Sequence, residues 1–332
     1  MKPISLSLIL ACSVALGQPL ANNNPAAGGR GSVQSNPQSN EQAGVDIDRF
    51  IGIPENNPPH LSHGLLVTHN LLKAGDPYHP GKNGEVMEYW KDLSVATLLA
   101  RNKTPMVTLP DQFLFYVESG QGRLDDGKQY WDLRENIAVL IPPNAPHRIV
   151  NDSDQPLNMI LLTWTPTAPP RKDILVRDIN LLPWCEENAH WSNTSKCVFS
   201  GVDGLFSSER MLFVMVQPWT ISQPHSHGTG NEEMWIKVTP GTEVVMLGSE
   251  LRELGQNAAY SVPTTGFTEH GNLNLTRDRV DWWVYLAHGP AEQQPNPGRG
   301  GGGGRGPGNQ NPNIVRDRAS VEAATVAGKP LN

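Results

Sequence analysis

The stretch "EMWIKVTPG" at residues 233–241 lies without a gap over an earlier one, "QFLFYVESG" at 112–120. Both are runs of apolar, β-branched and aromatic residues that stop at a glycine, the pattern of a buried strand running into a turn. A proline stands 22 residues after each glycine, Pro142 after Gly120 and Pro263 after Gly241. Behind the prolines come "PPNAPHRIVN" (142–151) and "PTTGFTEHGNLN" (263–274), each closing on His-x-x-x-Asn, the second with two extra residues in its turn. Self-similarity at fixed spacing means that one β-unit is used twice.

The rest of the chain agrees with an all-β reading. "NIAVLIPP" (136–143), "PLNMILLTW" (156–164), "RMLFVMVQ" (210–217), "EVVMLG" (243–248) and "DWWVYLA" (281–287) are short strand-like runs bounded by turn residues. With 32 glycines, 29 prolines and 38 % hydrophobic residues among 332, long helices are disfavoured. Regular short strands with this punctuation predict a sandwich or barrel of jelly-roll type. The net charge of -7 excludes a nucleic-acid binder that relies on overall positive charge. After the first twenty residues nothing is apolar enough to span a bilayer.

The N-terminus has the form of an export signal: Lys2, the apolar run "ISLSLILACSVAL" (4–16), then the small residues Ala15 and Gly17. Residues 1–17 are expected to be removed and the protein to be secreted or periplasmic; lipid attachment at Cys12 is the alternative. Export permits a disulfide between the remaining cysteines, Cys185 and Cys197. Residues 18–44 are expected to be a disordered leader, and "QQPNPGRGGGGGRGPGNQNPN" (293–313) a flexible tract within a 291–332 tail. In that tail the Ala-rich "DRASVEAATVAGKP" (317–330) is a candidate short docking helix.

Two motifs place the repeat in a family. His225-Ser-His227, a short loop, a glutamate and an aromatic strand ending at Gly241 form one; Pro263, a Gly-containing turn, His270, three residues and Asn274 form the other. In this order they resemble the cupin superfamily, and the resemblance covers roughly residues 60–290 as two tandem units, a bicupin. It implies two jelly-roll barrels, 45–166 and 167–290, the second carrying a metal site.

The resemblance implies His225, His227, Glu233 and His270 as ligands of one divalent transition metal. His225 and His227 are two apart, so on a strand both face one side. Three imidazoles and a carboxylate suit Fe, Mn, Ni, Cu or Zn, and ligand type alone does not separate them. Two glutamates compete for the fourth place. Glu232 has the more usual gap from His227, whereas Glu233 opens the Glu-x-aromatic strand; the one that does not ligate is a candidate acid/base group, which makes Glu232 the catalytic candidate. Trp235, Lys237 and Tyr260 are candidate pocket-lining residues by position.

Subtracting the repeat offset of 121 maps His225, His227 and Glu233 onto Thr104, Met106 and Gln112, and only His147 survives as the partner of His270. The first barrel is therefore expected to have lost its metal. His60 and His63 lie outside the motif pattern, and a strand would put them on opposite faces; with His69 they read as an N-terminal strand and its approach, a metal or substrate role being the alternative, and His190 and His288 are expected to be structural. Of the four Asn-x-Ser/Thr sites, Asn102, Asn151, Asn193 and Asn274, the last falls inside the second motif and is expected to serve a turn. The family implies an enzyme acting on a small oxygen-rich molecule, a dioxygenase ahead of a decarboxylase, lyase or isomerase. A small-ligand sensor or storage-type bicupin is the alternative. Partners are then a small-molecule substrate and, through edge strands, a second copy of the chain in a homo-oligomer.

Overall fold

A computed structural model describes residues 46–166, 170–184, 193–205, 210–227, 229–266, 268–288 and 318–331. The expected signal, Cys12, the leader and the Gly-rich tract lie outside the described residues, as do Cys185 and His190. Cys197 is disulfide-bonded. Among the described residues no helix is long and apolar enough to cross a membrane.

Among the described residues the regular structure is mainly strand, arranged as two barrels, each a large sheet facing a smaller one. In the first barrel the large sheet runs from Leu175–Asp178 through Ile137–Ile141, Gln112–Ser119, Leu157–Trp164, Asp92–Leu98 and Leu66–Ala74 to His60–Ser62. Its smaller sheet includes Gln121–Asp125, Gln129–Arg134 and Arg148–Asn151. In the second barrel the large sheet runs from Ile51–Gly52 through Ala259–Val262, Glu232–Lys237, Asp281–His288 and Arg210–Val216 to Thr194–Ser200. The smaller sheet holds Thr220–Ile221, His270–Asn274, Glu243–Leu247 and Glu250–Leu254.

Strand alternation sends successive side chains to opposite faces, and both faces here are apolar for different reasons. Phe113 and Phe115 point into the first barrel beside Trp131 and Ile149, and Trp235 points into the second beside Val245, Tyr260 and Trp283. Their neighbours Leu114 and Tyr116, and Met234 and Ile236, point outward into one shared core between the barrels, with Phe50, Trp90 and Phe199. The strands are therefore continuous apolar runs, as sheets covered on both faces must be.

The two units exchange strands. Ile51–Gly52, from the first unit's side of the chain, pairs antiparallel with Ala259–Val262 of the second. Leu175–Asp178, from the second unit's side, pairs antiparallel with Ile137–Ile141 of the first. The receiving strands are repeat equivalents, each followed directly by the proline of its motif. The expected division at 166/167 thus separates the repeats along the chain but not the sheets. Arg177 of the exchanged strand is buried and donates to both carboxylate oxygens of Asp203, at 2.8 and 2.6 Å, tying the first barrel's sheet to the second unit.

The tail returns as expected, with a helix at Arg318–Ala323. Beyond it the backbone adds hydrogen bonds to Val176 and Asp178, and Lys329–Pro330 pairs with Gln129–Arg134. The two repeat glycines are needed as glycines. Gly120 and Gly241 have φ of 87° and 83°, and a Cβ there would run into the Pro156 carbonyl and the Arg279 guanidinium respectively. Asn151 and Asn274 are both fully buried and make matching bonds. Each side-chain amide donates to backbone carbonyls across its turn, of Leu98 and Gln155 for Asn151 and of Val216 and Arg279 for Asn274.

Candidate metal centre

The segment before the strand Glu232–Lys237 runs alongside the second motif. His225 and His270 form a β-bridge, exchanging backbone N–H···O bonds of 3.3 and 3.0 Å, which sets their side chains directly opposite each other. His227, two residues on, points the same way. The ring centroids lie 4.7 Å (His225–His227), 4.5 Å (His225–His270) and 5.2 Å (His227–His270) apart. One nitrogen from each ring falls within 4.8 Å of the others. The Nδ1 of His225 donates to the Gln223 carbonyl at 2.8 Å, which fixes the tautomer and leaves Nε2 as the lone-pair nitrogen.

Glu233 completes the set. Its carboxylate lies 2.5 Å from the Nε2 of His227 and 2.8 Å from that of His270. It is oriented from beneath by the Trp235 indole N–H at 2.6 Å and the Tyr285 hydroxyl at 3.2 Å. Burial alone would raise the pKa of Glu233, but His270 and His227 overcome it and hold the carboxyl well below its usual value. The same contact raises His227 against the effect of its own burial, while burial and then His270 lower His225. His270 is buried, whereas His225 and His227 are only half-buried, so the open side of the cluster is theirs.

The two competing glutamates separate by strand parity. Glu233 faces the barrel interior, so Glu232 faces out of it and into the interface. Its Oε2 accepts backbone N–H bonds from Glu88 at 2.5 Å and Tyr89 at 3.1 Å. Glu232 is therefore not beside the histidines, and the expected acid/base role there is corrected: its carboxylate joins the two barrels.

The pocket candidates sort by depth. Trp235 donates its indole N–H to Glu233. Tyr260 lies deeper, fully buried, with its hydroxyl donating to Asn272 at 2.6 Å. Lys237 is also fully buried and committed to Asp281 at 2.7 Å and the Thr239 carbonyl at 2.8 Å, so it does not line a pocket at the histidines. Tyr285, and Arg210 at 3.4 Å behind it, were not singled out from sequence. The available signal was parity: on Asp281–His288, Trp283 and Tyr285 share the inward face, and Tyr285 pairs with Trp235. His288 is structural, stacked on Tyr89 at 4.0 Å.

In the first barrel the places equivalent to His225, His227 and Glu233 fall on other residues than the repeat offset gives. Val107 bridges His147 just as His225 bridges His270, so Val107 and Leu109 take the two motif-histidine places. Ile141 pairs with Phe113 where Val262 pairs with Glu233. Phe113 therefore replaces the glutamate, and Gln112 matches Glu232 instead. Thr104 and Met106 fall outside the equivalent positions. One further residue enters this barrel mouth: His63, at the turn of the hairpin His60–Ser62/Leu66–Ala74. Its ring lies 5.3 Å from that of His147. Burial, and then His147, lower the pKa of His63 to about 3. His60 is exposed, and His69 lies by the Pro54 and Asn57 carbonyls at 3.2 Å.

Comparisons with known proteins place this architecture. The family described as "Cupin domain" matches residues 108–163. A bacterial pirin from Escherichia coli in complex with nickel(II) superposes with a TM-score of 0.54 at 11 % identity, over 73 % of this chain and 99 % of the other. An oxalate decarboxylase formate complex from Lactobacillus farciminis gives 0.53 at 11 %, over 73 % and 86 %. Vicilin from Corylus avellana gives 0.54 at 8 %, over 73 % and 86 %. Among curated protein sequences none matches this chain.

Proposed function

Since the chain is a tandem-barrel member of the cupin superfamily, we propose that it is a metal-dependent enzyme. It would hold one divalent transition ion in the second barrel and act on a small oxygen-rich substrate. The observation that carries this reading is the convergence of His225, His227 and His270, with ligand nitrogens within 4.8 Å, on the carboxylate of Glu233. Neutral imidazoles and one anionic oxygen are the donor set that Fe, Mn, Ni, Cu and Zn share. When bound, such an ion polarises a carboxylate, enolate or hydroxyl and stabilises developing negative charge.

The chain's own residues supply orientation. The Gln223 carbonyl fixes His225, and Trp235 and Tyr285 hold Glu233 at the angle that faces the three rings. Burial raises the pKa of Tyr285 and keeps its hydroxyl a donor. The half-buried edges of His225 and His227 give the substrate its approach, and the aromatic layer below closes the barrel floor. Among reaction types an oxygenase ranks ahead of a decarboxylase, lyase or isomerase. Export, with Cys197 in a disulfide, fits an activity outside the cytoplasm, and pairing of edge strands would give a homo-oligomer.

A second reading, a non-catalytic binder of a small sugar or carboxylate, is favoured by one observation. With Glu232 turned into the interface, the acid/base group expected beside the ion is missing from that place. Elemental analysis of protein purified without added metal, beside His225→Ala, tests the site. One transition metal per chain, lost in the variant, is expected; no metal, and none taken up on titration, overturns the enzyme reading. Turnover of carboxylate and enediol substrates by the loaded protein then separates enzyme from binder.

A further inference from the structure

His63 occupies a place that a hairpin turn seldom gives a side chain. It is the first residue of the turn His63-Gly64-Leu65, and its φ of 46° is in the left-handed region that a histidine enters at a cost. The backbone strain is matched by an unusual burial: turns normally face water, yet His63 is 8 % exposed while its neighbours Leu61 and Leu65 are 63 % and 43 % exposed. The strained conformation folds the imidazole inward. Backbone strain of this kind persists only where the surroundings enforce it, and it concentrates at ligand clamps.

Inside, the ring meets an apolar cage and one polar partner. Phe113 and Phe115 present their edges at 4.9 and 5.6 Å, and His147 lies at 5.3 Å. The Nδ1 of His147 donates to the Ala145 carbonyl at 2.9 Å, so its Nε2 carries the lone pair. That Nε2, and both ring nitrogens of His63, are buried without a hydrogen-bond partner. Three unpartnered polar atoms in one cage are costly, because each gives up its hydration with no hydrogen bond in return. A pair of well-packed apolar residues would serve the fold better, and Val107, Leu109 and Phe113 show that this mouth has accepted apolar residues elsewhere.

We propose that His63 and His147 form a second metal site, in the first barrel, that takes monovalent copper through one nitrogen of each ring. Charge decides the ion. Both donors are neutral, the ring contacts of the pair among the described residues are phenylalanines, and no carboxylate is among the groups that bear on the charge of either imidazole. A divalent ion here would keep an uncompensated double charge in an apolar cage and would lack ligands for four- or six-fold coordination. A d¹⁰ monocation is satisfied by two imidazole nitrogens and carries half the charge. The site differs from that of the second barrel in every ligand but the shared motif histidine, since His63 comes from a hairpin with no counterpart in either motif.

The test removes the other site first. Protein carrying His225→Ala and His227→Ala is titrated anaerobically with Cu(I) held by a chromophoric bicinchoninate chelator. One equivalent drawn from the chelator is expected, and its loss on adding His63→Phe or His147→Phe. Copper X-ray absorption on the loaded protein should show two nitrogen neighbours and no sulphur. No copper taken from the chelator overturns the proposal, as does uptake that survives His63→Phe. Because the absorption measurement uses no first-barrel variant, a spectrum with four ligands or with sulphur overturns it even where His63→Phe fails to fold. The reading of the second barrel is untouched by either result.

Discussion

The Tyr285 hydroxyl and the Trp235 indole are what aim Glu233 at the histidines. Tyr285→Phe keeps the packing and removes one donor. Groups of this kind are worth about 10–100-fold in metal affinity, so the variant should bind its ion that much more weakly in competition with a chelator, without a matching loss of thermal stability. Glu118 makes a separate point about charge. Burial raises its pKa from 4.5 to about 8, so the folded chain holds this proton where an unfolded one has released it. A raised carboxyl stabilises most below the unfolded value and loses that contribution as pH rises through the folded one. Melting temperatures should therefore decline between about pH 4.5 and 8, and Glu118→Gln should flatten that decline. What sequence could and could not assign is plain at this scale. His225, His227 and His270 were legible because their motif spacing survives, and Glu233 because an aromatic strand follows it. Tyr285 was not, since a tyrosine in an apolar strand declares its partner only once the facing strand is known.

Elements carry the errors that residues cannot reveal. The repeat alignment was anchored on Gly120 and Gly241, but Phe113 stands seven residues before its glycine (120 − 113) and Glu233 eight before its own (241 − 233). The first strand also shifts register beside Asn158 and Met159. A slip of one residue turns every side chain to the other face, which is why Gln112 was set against Glu233 and is in fact the counterpart of Glu232. The residues that stand in the first barrel at the second barrel's motif places are Val107, Leu109 and Phe113 instead. The exchanged strands were not legible either: two residues, Ile51 and Gly52, and four, Leu175 to Asp178, are too short to announce a partner. Their importance is open to measurement through the buried Arg177–Asp203 pair. Asp203→Ala leaves the guanidinium buried and unpaired, and breaking such a pair costs about 3–5 kcal/mol. Denaturant midpoints of wild type and variant should show a loss of that size.

For the whole molecule, the shared core of Phe50, Trp90, Leu114, Phe199, Met234 and Ile236 and the two-way strand exchange predict one cooperative transition. Calorimetry should give a single peak with equal calorimetric and van't Hoff enthalpies, and two resolved peaks would contradict it. Residues 45–166 or 167–290 expressed alone should fail to fold, because each half then lacks an edge strand and exposes half of the common core. The exchange also bears on ancestry. After a duplicated gene fuses, one copy ordinarily becomes free to decay or be deleted once its chemistry is redundant. Here the first copy carries Val107, Leu109 and Phe113 where the second carries its motif residues, yet selection on the second copy's fold still acts on it through the borrowed strand and the common core. Mutation can strip that half of its motif, or refit its mouth around His63, but deletion of the half would take the second barrel's fold with it.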